Sequence, residues 1–159
     1  MKQLLFLAII LIGFTVNSQR LSTTFTKDES RWSWDGSTIQ TVFSNDWDNW
    51  KFGSISVRTT FSNDWDSWNV GSSVTLKTIF NNDFDQWEIR DGDKIIYVKT
   101  TFNNDLERWD ISGDADGRLR TVFSNDYERW DIEIDGDAIS EEAEAAIVFI
   151  AVFVAFHLK

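Results

Sequence analysis

The chain has no cysteine and a single histidine among its 159 residues. Without cysteine, no disulfide can staple the fold, no thiol can act as a nucleophile, and a lipid-modified N-terminal cysteine is excluded. With His157 alone, close to the C-terminus, no nucleophile–histidine pair and no histidine-based metal site can be assembled. No Gly-rich phosphate loop occurs either. Paired carboxylates, which suffice for glycoside hydrolysis, are the one remaining catalytic route. They recur in every copy of a repeat, whereas an active site usually occurs once, so the chain is read as not an enzyme. Basic residues are also scarce: 15 Lys and Arg face 26 Asp and Glu, for a net charge of −11. Such a surface repels phosphate backbones, so nucleic acid is not an expected partner.

Aromatic residues, by contrast, make up 15% of the chain, nine of them Trp, within a hydrophobic share of 42%. That composition supports a packed core and argues against a disordered chain. The first segment stands apart from it. Lys2 gives a positive start, Leu4 to Phe14 an apolar run, and Val16-Asn17-Ser18 a small-residue cleavage pattern. Residues 1–18 are therefore expected to be a signal peptide, with the mature chain starting at Gln19 and exported to the periplasm, cell surface or extracellular space. Its loss removes one charge, Lys2, and leaves 14 basic against 26 acidic residues.

From residue 19 to 138 the sequence repeats. Thr-x-Phe recurs at Thr23, Thr41, Thr59, Thr78, Thr100 and Thr121, at spacings of 18, 18, 19, 22 and 21 residues. Five copies continue as Asn-Asp, a variable residue, an acid and a Trp: "SNDWDNW" at 44–50, "SNDWDSW" at 62–68, "NNDFDQW" at 81–87, "NNDLERW" at 103–109 and "SNDYERW" at 124–130. The first copy, "TTFTKDESRW", is degenerate, as terminal repeats often are.

Each copy reads as two strands. Ile55, Val57, Thr59 and Phe61 fall on one face of "ISVRTTF", and Val74, Leu76, Thr78 and Phe80 on one face of "VTLKTIF". After the loop, Trp130, Ile132 and Ile134 alternate with Asp131, Glu133 and Asp135. A period of two in β-branched and aromatic residues marks half-buried antiparallel strands. Gly punctuates the second connection of every copy, as at Gly53, Gly71 and "DGD" 91–93, and predicts hairpin turns. The fold class expected is mainly β: an up-and-down meander of six β-hairpin repeats, curved or barrel-like. On its polar face, Arg58, Lys77, Lys99 and Arg120 are expected to pair across strands with Glu88, Asp110 and Asp131.

The Asn-Asp loop admits two readings. As structure, each Asn with an acid three residues on (Asn45/Asp48, Asn63/Asp66) resembles a helix cap, and Phe61 and Trp68 would close over the loop from the apolar face. As a site, the variable residues Trp47, Trp65, Phe84, Leu106 and Tyr127 would form a row about 10 Å apart, at two strand spacings per copy. Such a row is the candidate contact surface for a glycan or protein partner. The acids Asp46, Asp48, Asp64, Asp66, Asp83 and Asp85 are the candidate ligands for a calcium ion; no other cofactor is expected. The stretch "DIEIDGDAISEE", 131–142, approaches a helix–loop–helix calcium loop. Glu133 at its third position and Ala138 at its eighth depart from that pattern, and the register of the other copies favours a strand and turn.

Residues 139–159 change character. Ser140 is a suitable N-cap, Glu141, Glu142 and Glu144 follow it, and Ala145 to Phe156 is uninterruptedly apolar. A helix apolar all round must be enclosed on every side. Twelve helical residues span about 18 Å against about 30 Å of bilayer hydrocarbon. A central helix packed on the apolar face of a curved sheet is therefore expected; membrane contact through 145–156, or a final strand, are the alternatives. The sequence thus describes an exported, non-catalytic repeat protein acting as a binding or structural module. A membrane anchor and a calcium-stabilised repeat stand as alternatives.

Overall fold

The computed structural model describes residues 18–135 and 139–159. Nearly all of the expected signal peptide lies outside the described residues, as do Gly136, Asp137 and Ala138 of the calcium-loop-like stretch. Every copy contributes two strands. The first gives β1 (Ser18–Thr23) and β2 (Arg31–Trp34), the second β3 (Ser37–Thr41) and β4 (Asn49–Phe52). The third gives β5 (Ile55–Phe61) and β6 (Asp64–Val70), the fourth β7 (Val74–Phe80) and β8 (Asp83–Asp91). The fifth gives β9 (Lys94–Thr100) and β10 (Arg108–Gly113), the sixth β11 (Asp116–Thr121) and β12 (Arg129–Asp135). Successive strands pair antiparallel, and β1 pairs with β12 from Ser18↔Glu133 to Ser22↔Arg129, so the sheet closes into a barrel. Closure leaves no strand edge open to another chain.

Inside the barrel the copies build one repeated layer. Trp32, Trp50, Trp68, Trp87, Trp109 and Trp130 are each 0–1% exposed. Each lies opposite the Thr of its own copy and an aliphatic residue of the next, as Trp68 does between Thr59 and Leu76. At the seam Trp130 meets Leu21 of the first copy, so the layer is continuous around the ring. Two residues further along, Trp34, Phe52, Val70, Ile89, Ile111 and Ile132 form a second buried layer.

The lumen is filled by the helix α1 (Glu141–Phe153), whose last turn widens into a π-helical turn, Val154–Leu158. Ser140 caps it: its Oγ accepts the Ala143 N–H at 3.1 Å, and its own N–H donates to Asp91 Oδ2 at 3.2 Å. Ala143 and every residue from Ala145 to Ala155 are buried, which is why this helix needs no polar face. Among the described residues no helix is long and apolar enough to cross a membrane. The apolar surface of 145–155 is already covered by the barrel wall, and membrane contact through it would require the barrel to open.

The helix start is pinned to the Gly-turn end of the barrel. Glu142 accepts the Ser72 and Ser73 N–H groups at 2.9 and 3.1 Å and their hydroxyls at 3.1 and 3.0 Å. Gly71 next to them has φ +61°, and a Cβ there would run into the Glu142 side chain, so glycine is required twice over. The helix end emerges at the opposite rim, among the Asn-Asp loops, where Lys159 pairs with Glu29.

One expected placement is corrected. Phe61 and Phe80 do not lie on the apolar face but are 69% and 61% exposed. The pairing register shifts between Thr59 and Phe61 and between Thr78 and Phe80. An irregularity of this kind breaks the alternation of faces, so the residue two beyond an inward Thr no longer points inward.

Candidate functional site

The Asn-Asp loops are built by three sets of hydrogen bonds, each carried by one position of the repeat. Asn45, Asn63, Asn82, Asn104 and Asn125 all have φ between +58° and +60°, with Lys27 at +64° in the first copy. The Asn is therefore the left-handed residue of a tight turn, a conformation Asn tolerates better than most, and not the cap of a helical turn as expected. The following Asp accepts the N–H two residues on, at 3.1–3.3 Å in all six copies, from Ser30→Asp28 to Glu128→Asp126. The Trp indole N–H then donates to the carbonyl three residues earlier, at 2.7–2.9 Å, again in all six. The spacing from the variable residue to Trp is the reach of that bond.

The second acid faces the neighbouring copy. Asn63 N–H donates to Asp48 at 3.0 Å, Asn82 N–H to Asp66 at 2.8 Å, and Asn125 N–H to Glu107. Lys27 N–H donates to Glu128 at 2.8 Å, carrying the relay across the seam from the last copy to the first. The relay does not run from the first copy to the second, because Ser30 stands where the acid would be. Between the fourth and fifth copies a groove of about 390 Å³ opens, lined by Asn82, Phe84, Asp85, Asn104, Leu106 and Leu158.

The variable residues Trp47, Trp65, Phe84, Leu106 and Tyr127 are brought together as one ring, but half-buried and packed against the core. Trp47 stacks on Phe156 at 5.1 Å, Phe84 meets Phe153 at 5.2 Å, and the Trp65 ring stands edge-on to His157 at 4.1 Å. Burial in this aromatic cluster lowers the His157 pKa. Burial, aided by the Glu107 and Asp105 carboxylates, raises that of the Tyr127 phenol. Of the candidate calcium ligands, Asp46, Asp64 and Asp83 accept N–H groups of their own loops, and Asp48 and Asp66 those of the next copy. Among the described residues no three His, Asp or Glu side chains gather to share a metal ion. The stretch Asp131–Asp135 is part of β12.

Two rings run around the outside of this rim, and of their members the sequence pattern had marked Arg58, Lys77, Lys99 and Arg120, as cross-strand partners of acids. The first is aromatic: Phe25, Phe43, Phe61, Phe80, Phe102 and Phe123 are 57–69% exposed, one per copy and all at the loop end. The second lies directly behind it on the outer face. There the residue before each Trp pairs with the residue before the next copy's Thr: Arg31↔Gln40, Asn49↔Arg58, Ser67↔Lys77, Gln86↔Lys99, Arg108↔Arg120 and Arg129↔Ser22. All six pairs contain a cation and none contains an acid, on a chain of net charge −11. The Phe ring was missed because strict alternation placed Phe61 and Phe80 on the inward face.

The rings touch. The Arg108 guanidinium lies over the Phe102 ring at 5.1 Å and that of Arg129 over Phe123 at 4.9 Å. Phe43 shares a groove of about 410 Å³ with Asn49, Lys51, Ser56 and Arg58. Comparison with known proteins finds no match to a protein family, to a curated protein or to a solved structure.

Proposed function

We propose that this is an exported, non-catalytic β-repeat protein serving as a binding or structural module at the cell surface or in the periplasm, with a glycan or protein ligand. The observation that carries the reading is the exposed Phe of every copy. An exposed aromatic costs solubility and adds little to the core, so a single one is unremarkable but six at equivalent positions point to a contact surface. The variable loop residue differs among Trp, Phe, Leu, Tyr and Glu across the same copies, while the Phe does not change. The non-catalytic reading is supported by the position of the only histidine, wedged among Trp65, Phe84 and Phe153.

The test is a triple variant, Phe43→Ser, Phe61→Ser and Phe80→Ser, compared with the parent by thermal melt and on a panel of neutral and charged polysaccharides. A variant that melts within a few degrees of the parent but loses retention on a polysaccharide the parent binds supports the reading. Loss of the fold in the variant would reassign these Phe residues to architecture, and equal retention of both proteins would reject the surface.

A further inference from the structure

Resting on the glycan-binding reading, we infer that the ligand is an anionic polysaccharide, a polymer of carboxylated or sulfated sugars, laid along the outer belt where the Phe ring adjoins the cation ring.

Two independent features of the belt converge on this chemistry. The exposed Phe rings offer flat apolar faces of the kind that stack on the C–H face of a sugar ring. The cations behind them offer the countercharge. Arg31, Arg58, Lys77, Lys99 and Arg120 have no carboxylate within 4 Å among the described residues and are exposed. The other register neighbours of Lys77, Lys99 and Arg120 are Glu88, Asp110 and Asp131, but none of these acids ion-pairs with them, so the cations stay available to an incoming carboxylate or sulfate. Direct contact between the two features is visible at two copies, Phe102 with Arg108 and Phe123 with Arg129, whose guanidinium groups also pair with Asp105 and Asp126, and Phe43 lines one groove with the unpaired Arg58.

Periodicity selects a polymer over a single small anion. The unit of one Phe and at least one cation recurs about every 10 Å around the barrel, two strand spacings per copy. A linear polymer with regularly placed acid groups can engage successive units, so weak contacts add through effective concentration. The exposed Ser and Asn side chains that follow each Phe in copies two to six, such as Ser44, Asn45, Asn81 and Asn82, supply hydrogen-bonding partners for sugar hydroxyls.

The protein is titrated calorimetrically with polygalacturonate and with the same polymer fully methyl-esterified, which keeps the sugar faces and removes the charge. Binding of the charged polymer at least about tenfold tighter than the ester is expected, weakening as salt is raised. The variant Arg58→Gln, Lys77→Gln, Lys99→Gln, Arg120→Gln should lose at least about tenfold for the charged polymer with its melt preserved. Equal affinity for both polymers, or salt-independent binding by the parent, would overturn the inference and leave glycan binding standing. Binding to neither polymer, nor to a sulfated polysaccharide, would overturn it as well, and the glycan reading itself falls if the neutral polysaccharides of the panel are not bound either. Equal binding of polyglutamate or a single-stranded polynucleotide would show an unselective polyanion surface and also overturn it.

Discussion

Trp47 lies nearly flat on Phe156, ring centroids 5.1 Å apart and planes 20° from parallel. The second-copy loop thereby closes over the end of the central helix, and Trp65 and Phe84 do the same for their copies through His157 and Phe153. The variant Trp47→Ala, Trp65→Ala, Phe84→Ala is therefore expected to lose several kcal/mol of stability, about 1–3 per half-buried ring. A melt like the parent's would return these residues to the list of candidate ligand contacts.

The indole of Trp68 is both a core plug and the donor that fixes its loop, through Trp65 carbonyl at 2.8 Å. Trp68→Ala should cost about 3–5 kcal/mol and Trp68→Phe less, because a phenyl ring still fills most of the site while the bond and part of the volume are lost. Urea unfolding of the two variants gives the ordering, and equal losses would show that the hydrogen bond outweighs the packing of the ring.

Asn63 sits at φ +59° and contributes mainly its tolerance of that geometry. Asn63→Gly is expected to be nearly neutral, while Asn63→Ala should cost about 1 kcal/mol. Chemical denaturation of Asn63→Ser separates this from a capping role, in which Ser would serve about as well as Asn, whereas at a left-handed position Ser should cost about as much as Ala.

His157 carries the pH dependence expected near neutrality. Burial depresses its pKa in the folded protein, so the unfolded chain takes up the proton first as pH falls. Stability from this group is present above the unfolded value, about 6.5, and is lost as pH falls through the lower folded value. Melts between pH 7.5 and about 5 should decline in the parent and flatten in His157→Phe. A parallel decline in both would assign the loss to other groups.

Glu142 acts at lower pH. The Ser72 N–H is the main cause of its lowered pKa, followed against burial by the Ser73 N–H and the two hydroxyls. Its contribution is present above the ordinary carboxylate value, about 4.3, and disappears as pH falls through the lower folded one. Glu142→Gln is expected to lower stability by about 1 kcal/mol at pH 7, with the difference shrinking in acid. A gap that persists unchanged in acid would point to shape and not charge.

The repeat, the paired strands and the enclosed helix were legible because each follows from a period: about twenty residues for the copy, two for the strands, and an unbroken apolar run for the helix. What escaped depends on distances across copies. The register shift after Thr59 turns Phe61 outward, and nothing in "TTFSND" announces it. The second acid was read within its own loop, whereas Asp48 accepts an N–H fifteen residues away in the next copy. The expected polar pairs Lys77↔Glu88, Lys99↔Asp110 and Arg120↔Asp131 are register partners. The ion pairs formed are instead Arg90–Glu88 and Arg20–Asp131, which take two of those carboxylates, and Arg118–Glu133. That substitution is what leaves the cation row free.

The pairing of β1 with β12 has a consequence for how such a chain can change over generations. An open array of repeats can gain or shed a unit at its end and keep its neighbours' contacts intact. Here barrel girth rises with strand number, while the helix that fills it keeps a fixed width of about 10–12 Å. A seventh hairpin would leave the lumen underfilled, and a fifth-copy deletion would leave no room for Phe149 and Phe153. Heredity can therefore edit this protein copy by copy, but its arithmetic is closed at six.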